Sequence, residues 1–178
     1  AKGAQSADGS VELAVLDGIK ARFTPTEKID LAKWFAQRDQ RREEKLANQK
    51  AAASKKGYVE KGNKDEVFRY HIAKVEDQDD AMVEEPVLTN EDLVLGIRPE
   101  LLQIDPNGAL EGEIYGAMPT GMESTIKIRV GNYLLTGVVF GNTLFKLGEK
   151  VRLSVSGEAI ILFDRISGER IAIGTLGF

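Results

Sequence analysis

Residues 124–140 read STIKIRVGNYLLTGVVF. Ile126, Ile128 and Val130 fall on one side of an extended chain, Lys127 and Arg129 on the other. That alternation marks a strand with one buried face. Gly131-Asn132 interrupts it with a turn, and Tyr133 to Phe140 resumes β character. The segment therefore predicts two antiparallel strands. The pattern spreads outward from it. Leu93 to Ile97, Glu111 to Ala117, Val151 to Val155, Ala159 to Phe163 and Arg170 to Ile173 are further short β-prone runs. Leu147-Gly148-Glu149-Lys150 and Ser167-Gly168 supply turns between them. Short strands separated by Gly-containing turns, roughly ten residues apart, predict a small barrel rather than βαβ units. The partly open OB-type barrel is the expected form.

The N-terminal third divides in two. Val11, Leu13 and Val15 alternate with Glu12 and Ala14; after Asp17-Gly18, Ile19, Ala21 and Phe23 alternate with Lys20 and Arg22. Residues 1–23 thus predict the first β-hairpin of the barrel. Residues 24–66 predict a helical charged insert. Thr24-Pro25-Thr26-Glu27 has the makings of a helix start: Thr24 as cap, Pro25 at the first helical position, Glu27 closing a capping box. Ile29, Leu31, Ala32, Trp34 and Phe35 follow, but residues 38–45 contain no apolar side chain, and Lys55-Lys56-Gly57 reads as the helix end. A helix whose second half has nothing to bury projects into solvent. Residues 38–64 are predominantly basic, and residues 76–92 carry acids and no base. Such blocks are solvated faces, or they attract one another or a partner. Between them Val67 to Val75 alternates as one more strand, with Phe68, Tyr70 and Ile72 inward. Residues 67–178 are read as the remainder of the barrel.

Composition limits the chemistry. The chain has 178 residues, 42 % of them hydrophobic, enough for one domain or two small ones. It has no cysteine, which excludes disulfide scaffolds, zinc ribbons, iron–sulfur sites and thiol catalysis. Its single histidine, His71, reads as a strand residue beside Tyr70 rather than a catalytic base. No Walker A loop, G-x-G-x-x-G turn, H-E-x-x-H pair or EF-hand loop occurs, and the acidic run from Glu76 to Glu85 lacks the Gly-centred loop a calcium site needs. No catalytic, cofactor-binding or metal-binding residue is expected. A net charge of -4 argues against a general nucleic-acid binder. No apolar run approaches the roughly 18 residues of a membrane span. The first residues form no signal-peptide core, and the absence of an initiator Met fits a piece of a longer chain. Trp34 and Phe35 stand out as a pair that docks either its own helix or a partner.

One motif is more specific. Leu95-Gly96-Ile97-Arg98-Pro99-Glu100 is a strand end followed by an arginine and a rigid proline turn. It resembles the GIRPE signature in the C-terminal regulatory domain of ABC importer ATPases, the carbohydrate-uptake class typified by the maltose importer's ATPase subunit. Leu110-Glu111-Gly112-Glu113-Ile114, Thr120-Gly121-Met122-Glu123, Leu147-Gly148-Glu149-Lys150-Val151, Ile161-Leu162-Phe163-Asp164 and Ser167-Gly168-Glu169-Arg170-Ile171 resemble further elements of that domain, in order. Thr120 stands where the family usually has Leu. The long insert is also no part of the common pattern.

The resemblance implies a mainly β, OB-like/TOBE small barrel, built from strands on both sides of the insert. It implies a parent that is a homodimeric ATPase, cytoplasmic and held at the inner face of a bacterial membrane through permease subunits. The parent's ATP and Mg chemistry would lie in an ATPase core outside this chain, leaving the chain itself non-enzymatic. Implied partners are that core, a second copy in the dimer, and a regulatory protein such as a sugar-phosphotransferase component or a transcription regulator. Arg98 and Glu100 match the signature, and Glu123, Phe163 and Asp164 match positions of regulatory or inter-domain contact. Each also has a plain scaffold role open to it. Two other functions stay open: an oligonucleotide-binding OB module using Tyr115, Tyr133, Phe140 and Phe145, and a sensor for a sugar or an oxyanion.

Overall fold

A computed structural model of the chain describes residues 1–56, 87–141 and 143–178. The strand expected over 67–75, His71 and the acids of 76–85 lie outside the described residues. Among the described residues, eleven strands and one long helix are formed: β1 (Lys2–Gln5), β2 (Val11–Val15), β3 (Ile19–Pro25), α1 (Leu31–Lys56), β4 (Leu93–Gly96), β5 (Leu102–Ile104), β6 (Leu110–Pro119), β7 (Glu123–Val130), β8 (Tyr133–Phe140), β9 (Lys150–Val155), β10 (Ile160–Asp164) and β11 (Arg170–Gly177). A short 3-10 helix, Pro99–Leu101, joins β4 to β5. The mainly β, OB-like expectation therefore holds. It takes the form of two curled antiparallel sheets.

The first sheet has the order β1-β2-β3-β11-β10-β4. The N-terminal hairpin is thus completed by the last strand of the chain, with Phe23 opposite Leu176 and Thr24 opposite Thr175. The ends of the sheet meet. Lys2 bridges Asp92, the Gly3 N–H donates to the Glu91 carbonyl at 2.9 Å, and the Leu93 N–H donates to the Ala1 carbonyl at 2.9 Å. Closure removes exposed edges. The alternation read from the sequence sends Val11, Leu13, Val15, Ala21 and Phe23 inward, where they meet Leu93, Ile160, Leu162, Ile171 and Leu176. Each of the Val, Leu, Ile and Phe side chains, fully buried, contributes about 1.5–3 kcal/mol.

The second sheet has the order β5-β9-β6-β7-β8. It curls until β8 returns against β5: a Cβ on Gly137 would lie 3.5 Å from the Leu102 carbonyl oxygen. Its core is Leu102, Leu110, Ile114, Ile126, Ile128, Val130 and Leu153. Ile126, Ile128 and Val130 are the three positions singled out by periodicity. β5 was not expected, because three residues are too short a run for a pattern to register.

Leu16, Ile19 and Val155 touch both cores. Leu16 belongs to the β2–β3 turn, where Leu16 and Asp17 have φ of 46° and 62°. Left-handed backbone at two non-Gly residues costs about 1–2 kcal/mol each. The turn is held by the Gly18 N–H donating to the Val15 carbonyl at 3.0 Å and by the Tyr133 hydroxyl donating to Asp17 Oδ1 at 2.7 Å. That second bond ties the first barrel to the second.

The helix start departs from expectation. Thr24 and Pro25 extend β3, and the Thr26 N–H donates to the Ile173 carbonyl at 2.9 Å, so no capping box forms at Thr24. Pairing with β11 outweighs the local cap signal. The helix begins at Leu31 instead, where Asp30 Oδ1 accepts the Lys33 N–H at 3.1 Å. Gln5 fixes the approach, accepting the Leu31 N–H at 2.9 Å and donating to the Ile29 carbonyl at 2.7 Å.

Candidate functional site

The signature Gly96-Ile97-Arg98-Pro99-Glu100 marks a crossing between the barrels. The chain leaves the first sheet at Gly96 and enters the second at Leu102. It crosses back between Val155 and Ile160, and the Ser156 N–H donates to the Leu101 carbonyl at 2.9 Å, tying the two crossings together. Pro99 opens the 3-10 helix with its φ already set, and Arg98 is extended as the capping residue. Arg98 Nη1 lies 4.0 Å from Glu100 Oε1 with both side chains largely in water, so the pair adds little stability and is open to other contacts.

Phe163 and Asp164 sit at the end of β10, across from Val94 and Leu93 of β4. A Cβ on Gly96 would come within 2.7 Å of the Phe163 ring, so the glycine of the signature leaves room for that ring. Asp164 is completely buried. Its Oδ2 accepts the Ser167 N–H at 2.8 Å and the Ser167 hydroxyl at 2.6 Å, which shapes the β10–β11 turn. Its Oδ1 accepts Arg38 Nη1 at 2.9 Å.

That last contact comes from the insert. Arg38 is 3 % exposed and also donates to Asp39 Oδ1 and, at 2.8 Å, to Asn90 Oδ1. Leu31, Phe35 and Arg38 lie on one helical stripe, so the apolar face ends on a buried cation. Phe35 is 8 % exposed and belongs to the first core. It therefore docks α1 onto the chain itself rather than offering its ring to a partner. Trp34 is half-buried, edge-on to Phe35 at 5.4 Å, with the Arg41 guanidinium 5.9 Å from its ring centre. Arg41 reaches Glu169 Oε2 at 2.6 Å. Sequence reading found the aromatic pair but passed over Arg38. The available signal was its spacing from Leu31 and Phe35, which puts it on the same face.

Glu123 lies apart from this cluster, at the start of β7 in the second sheet. Its carbonyl accepts the Thr120 N–H at 2.8 Å, and it pairs with Phe140 of β8. Met122, which precedes it, and Phe140, its partner across the ladder, are exposed, as are Tyr115 and Met118 on β6 and Leu144 and Leu147 in the segment leading to β9. The aromatics considered for base stacking separate here. The Tyr133 hydroxyl bonds to Asp17 and Phe145 packs against the second core, while Tyr115 and Phe140 stay exposed.

An open groove of about 560 Å³ runs between α1 and β1. Of its polar side chains, Gln5, Asp39 and Asn90 already hydrogen-bond to the helix start or to Arg38, and Glu91 also lines it. Among the described residues, no group of three His, Cys, Asp or Glu is placed to hold a metal ion. Among the same residues, no helix is long and apolar enough to cross a membrane.

Comparison with known proteins adds two findings. Residues 95–163 match the TOBE domain model. Over 88 residues the chain is 34 % identical to the uncharacterized ABC transporter ATP-binding protein y4oS of Sinorhizobium fredii, which covers 49 % of this chain and 24 % of that protein. The chain thus matches about a quarter of that relative's length. The matched stretch starts in β4, runs through the whole second barrel and ends in β10. Residues 95–163 are therefore similar to the TOBE domain, and the mainly β, OB-like fold agrees with that likeness.

Proposed function

We propose that the chain is the regulatory and dimerisation part of the ATP-binding subunit of a bacterial ABC importer for a sugar or related solute. The observation that carries the reading is the TOBE match over 95–163, which spans both crossings between the barrels. The likeness to an ABC transporter ATP-binding protein supports it. In this reading ATP and Mg belong to an ATPase core outside the chain, since its sequence contains no phosphate-binding loop. The chain acts by geometry. The Arg98-Pro99-Glu100 crossing sets one barrel against the other, the buried Asp164 anchors α1, and Glu123 opens β7 of the second sheet, half-buried and paired with β8. The parent would sit at the cytoplasmic face of the membrane through its permease subunits.

The test is to remove residues 95–163 from the ATP-binding protein that carries them, and to follow uptake of labelled sugars, ATP hydrolysis and subunit assembly. Hydrolysis retained with altered regulation or weakened assembly is expected. Unchanged uptake, hydrolysis and assembly together would overturn the reading.

A further inference from the structure

The closure of the first sheet stops before the end of β1. Lys2 bridges Asp92, and the Gly3 N–H reaches the Glu91 carbonyl. On its other edge β1 pairs with β2, and just past its end the Ser6 N–H donates to the Ser10 carbonyl at 2.9 Å. In an antiparallel pair the N–H and C=O of one residue point the same way, and successive residues face opposite edges. Lys2, Ala4 and Ser6 therefore face β2, whereas Gly3 and Gln5 face away from it. The Gly3 carbonyl and the Gln5 backbone N–H are aimed out of the sheet, and among the described residues no backbone bond reaches them.

The groove of about 560 Å³ between α1 and β1 lies along this edge. Ordinary ligand sites enclose about 300–1,000 Å³. Its other wall is helical. Ala32 and Ala36, one turn apart on α1, are exposed there beside the buried Leu31 and Phe35, so small side chains leave the wall open over an apolar base. The charged residues of the lining are Asp39 and Glu91, and no cation stands among them. Asp39 is exposed and accepts from Arg38 at Oδ1. Glu91 is exposed and, among the described residues, forms no ion pair. A free backbone edge is matched by another backbone, an apolar wall by apolar side chains, and carboxylates without a cation by a positive charge. An extended peptide that adds a strand supplies all three.

We propose that this groove binds an extended basic peptide of another protein. The peptide pairs with the backbone of Gly3 and Gln5, lays apolar side chains against the Ala32 and Ala36 wall, and brings a Lys or Arg to Asp39 and Glu91. Both α1 and β1 lie outside the stretch similar to the TOBE domain, so the inference stands apart from the importer reading. The test is fluorescence anisotropy of labelled octapeptides titrated with the 178-residue chain. A peptide of alternating Val and Lys is expected to bind saturably. Alternating Val and Glu should bind at least about tenfold more weakly, because attraction at both carboxylates becomes repulsion. Backbone N-methylation of the Val-Lys peptide removes the donors that pair with β1 and should weaken binding about tenfold. In the chain, Glu91→Gln should weaken Val-Lys binding about fivefold, the scale of one exposed ion pair, and leave an alternating Val-Ser peptide unchanged. Ala36→Gln narrows the groove at an exposed helical position, so it should weaken every peptide without moving the melting temperature. No saturable binding of Val-Lys up to millimolar chain overturns the inference. Equal binding of the N-methylated or the Val-Glu peptide overturns it too, as does binding indifferent to Ala36→Gln.

Discussion

Replacing Arg38 with Met tests the attachment of α1 most sharply. The methionine keeps an unbranched chain against Phe35 and removes the charge. Asp164 would then be a completely buried carboxylate whose remaining donors are the Ser167 N–H and hydroxyl. Removing one member of a buried ion pair typically costs about 3–5 kcal/mol, because the other charge is left uncompensated. What opposes undocking is mainly the burial of Leu31 and Phe35, about 3–6 kcal/mol together. The two magnitudes are comparable, so the variant relaxes by releasing the helix start, and melts earlier by about 10 °C. Trp34 is the sole tryptophan and lies against Phe35, so its emission reports the release directly. A red shift and a lowered melting midpoint are expected. Asp164→Asn should cost less, about 1.5–3 kcal/mol, because the amide oxygen still accepts from Ser167 and Arg38 keeps Asp39 and Asn90. The double variant should cost at least about 1 kcal/mol less than the two singles summed, since each alone strands a partner. If Arg38→Met leaves Trp34 emission and the melting midpoint unchanged, the buried pair does not hold the helix and the reasoning fails.

Other substitutions separate the remaining contacts. Arg41→Ala removes a pair whose side chains are 44 and 37 % exposed, and a loss of at most about 1 kcal/mol, shrinking with added salt, should appear in denaturant titrations. Gln5→Ala removes both bonds that fix the approach to α1 and should lower stability by about 1–3 kcal/mol, visible as lost helical circular dichroism before the β signal melts. Gly174→Ala would push a Cβ into the Thr24 carbonyl, so it should split β3 from β11 and expose their amides to hydrogen exchange. The Asp17 carboxylate that accepts the Tyr133 hydroxyl holds that phenol above its ordinary value near 10. The bond's contribution is full below that ordinary value and is lost as pH rises through the raised one. Stability of the chain should therefore fall faster above pH 10 than that of Tyr133→Phe, and equal alkaline slopes would refute the link.

Much of the β structure was legible from local pattern. Where one face of a strand is buried and the other wet, alternation is written into the chain, so Val11 to Val15, Ile19 to Phe23 and Ser124 to Val130 could be read without their partners. The sequence by itself also determined what chemistry the chain lacks, because no cysteine and no phosphate loop can be supplied by folding. Three matters were decided only by the tertiary structure. Thr24 and Pro25 carry a helix-start signal, but β11, about 150 residues away in the chain, claims them for a strand, because a full ladder of backbone bonds outweighs one cap. Arg38 reads as a solvated charge until folding brings Asp164, Asn90 and Asp39 around it, and only a pre-arranged set of acceptors makes burying a guanidinium affordable in free energy. Leu102 to Ile104 is too short to show a period, and it becomes a strand because Leu102, Gln103 and Ile104 pair with Val155, Ser154 and Leu153 of β9. Period-2 patterning is a property of neighbouring residues, whereas partners and surfaces depend on which distant residues the closed sheets bring together.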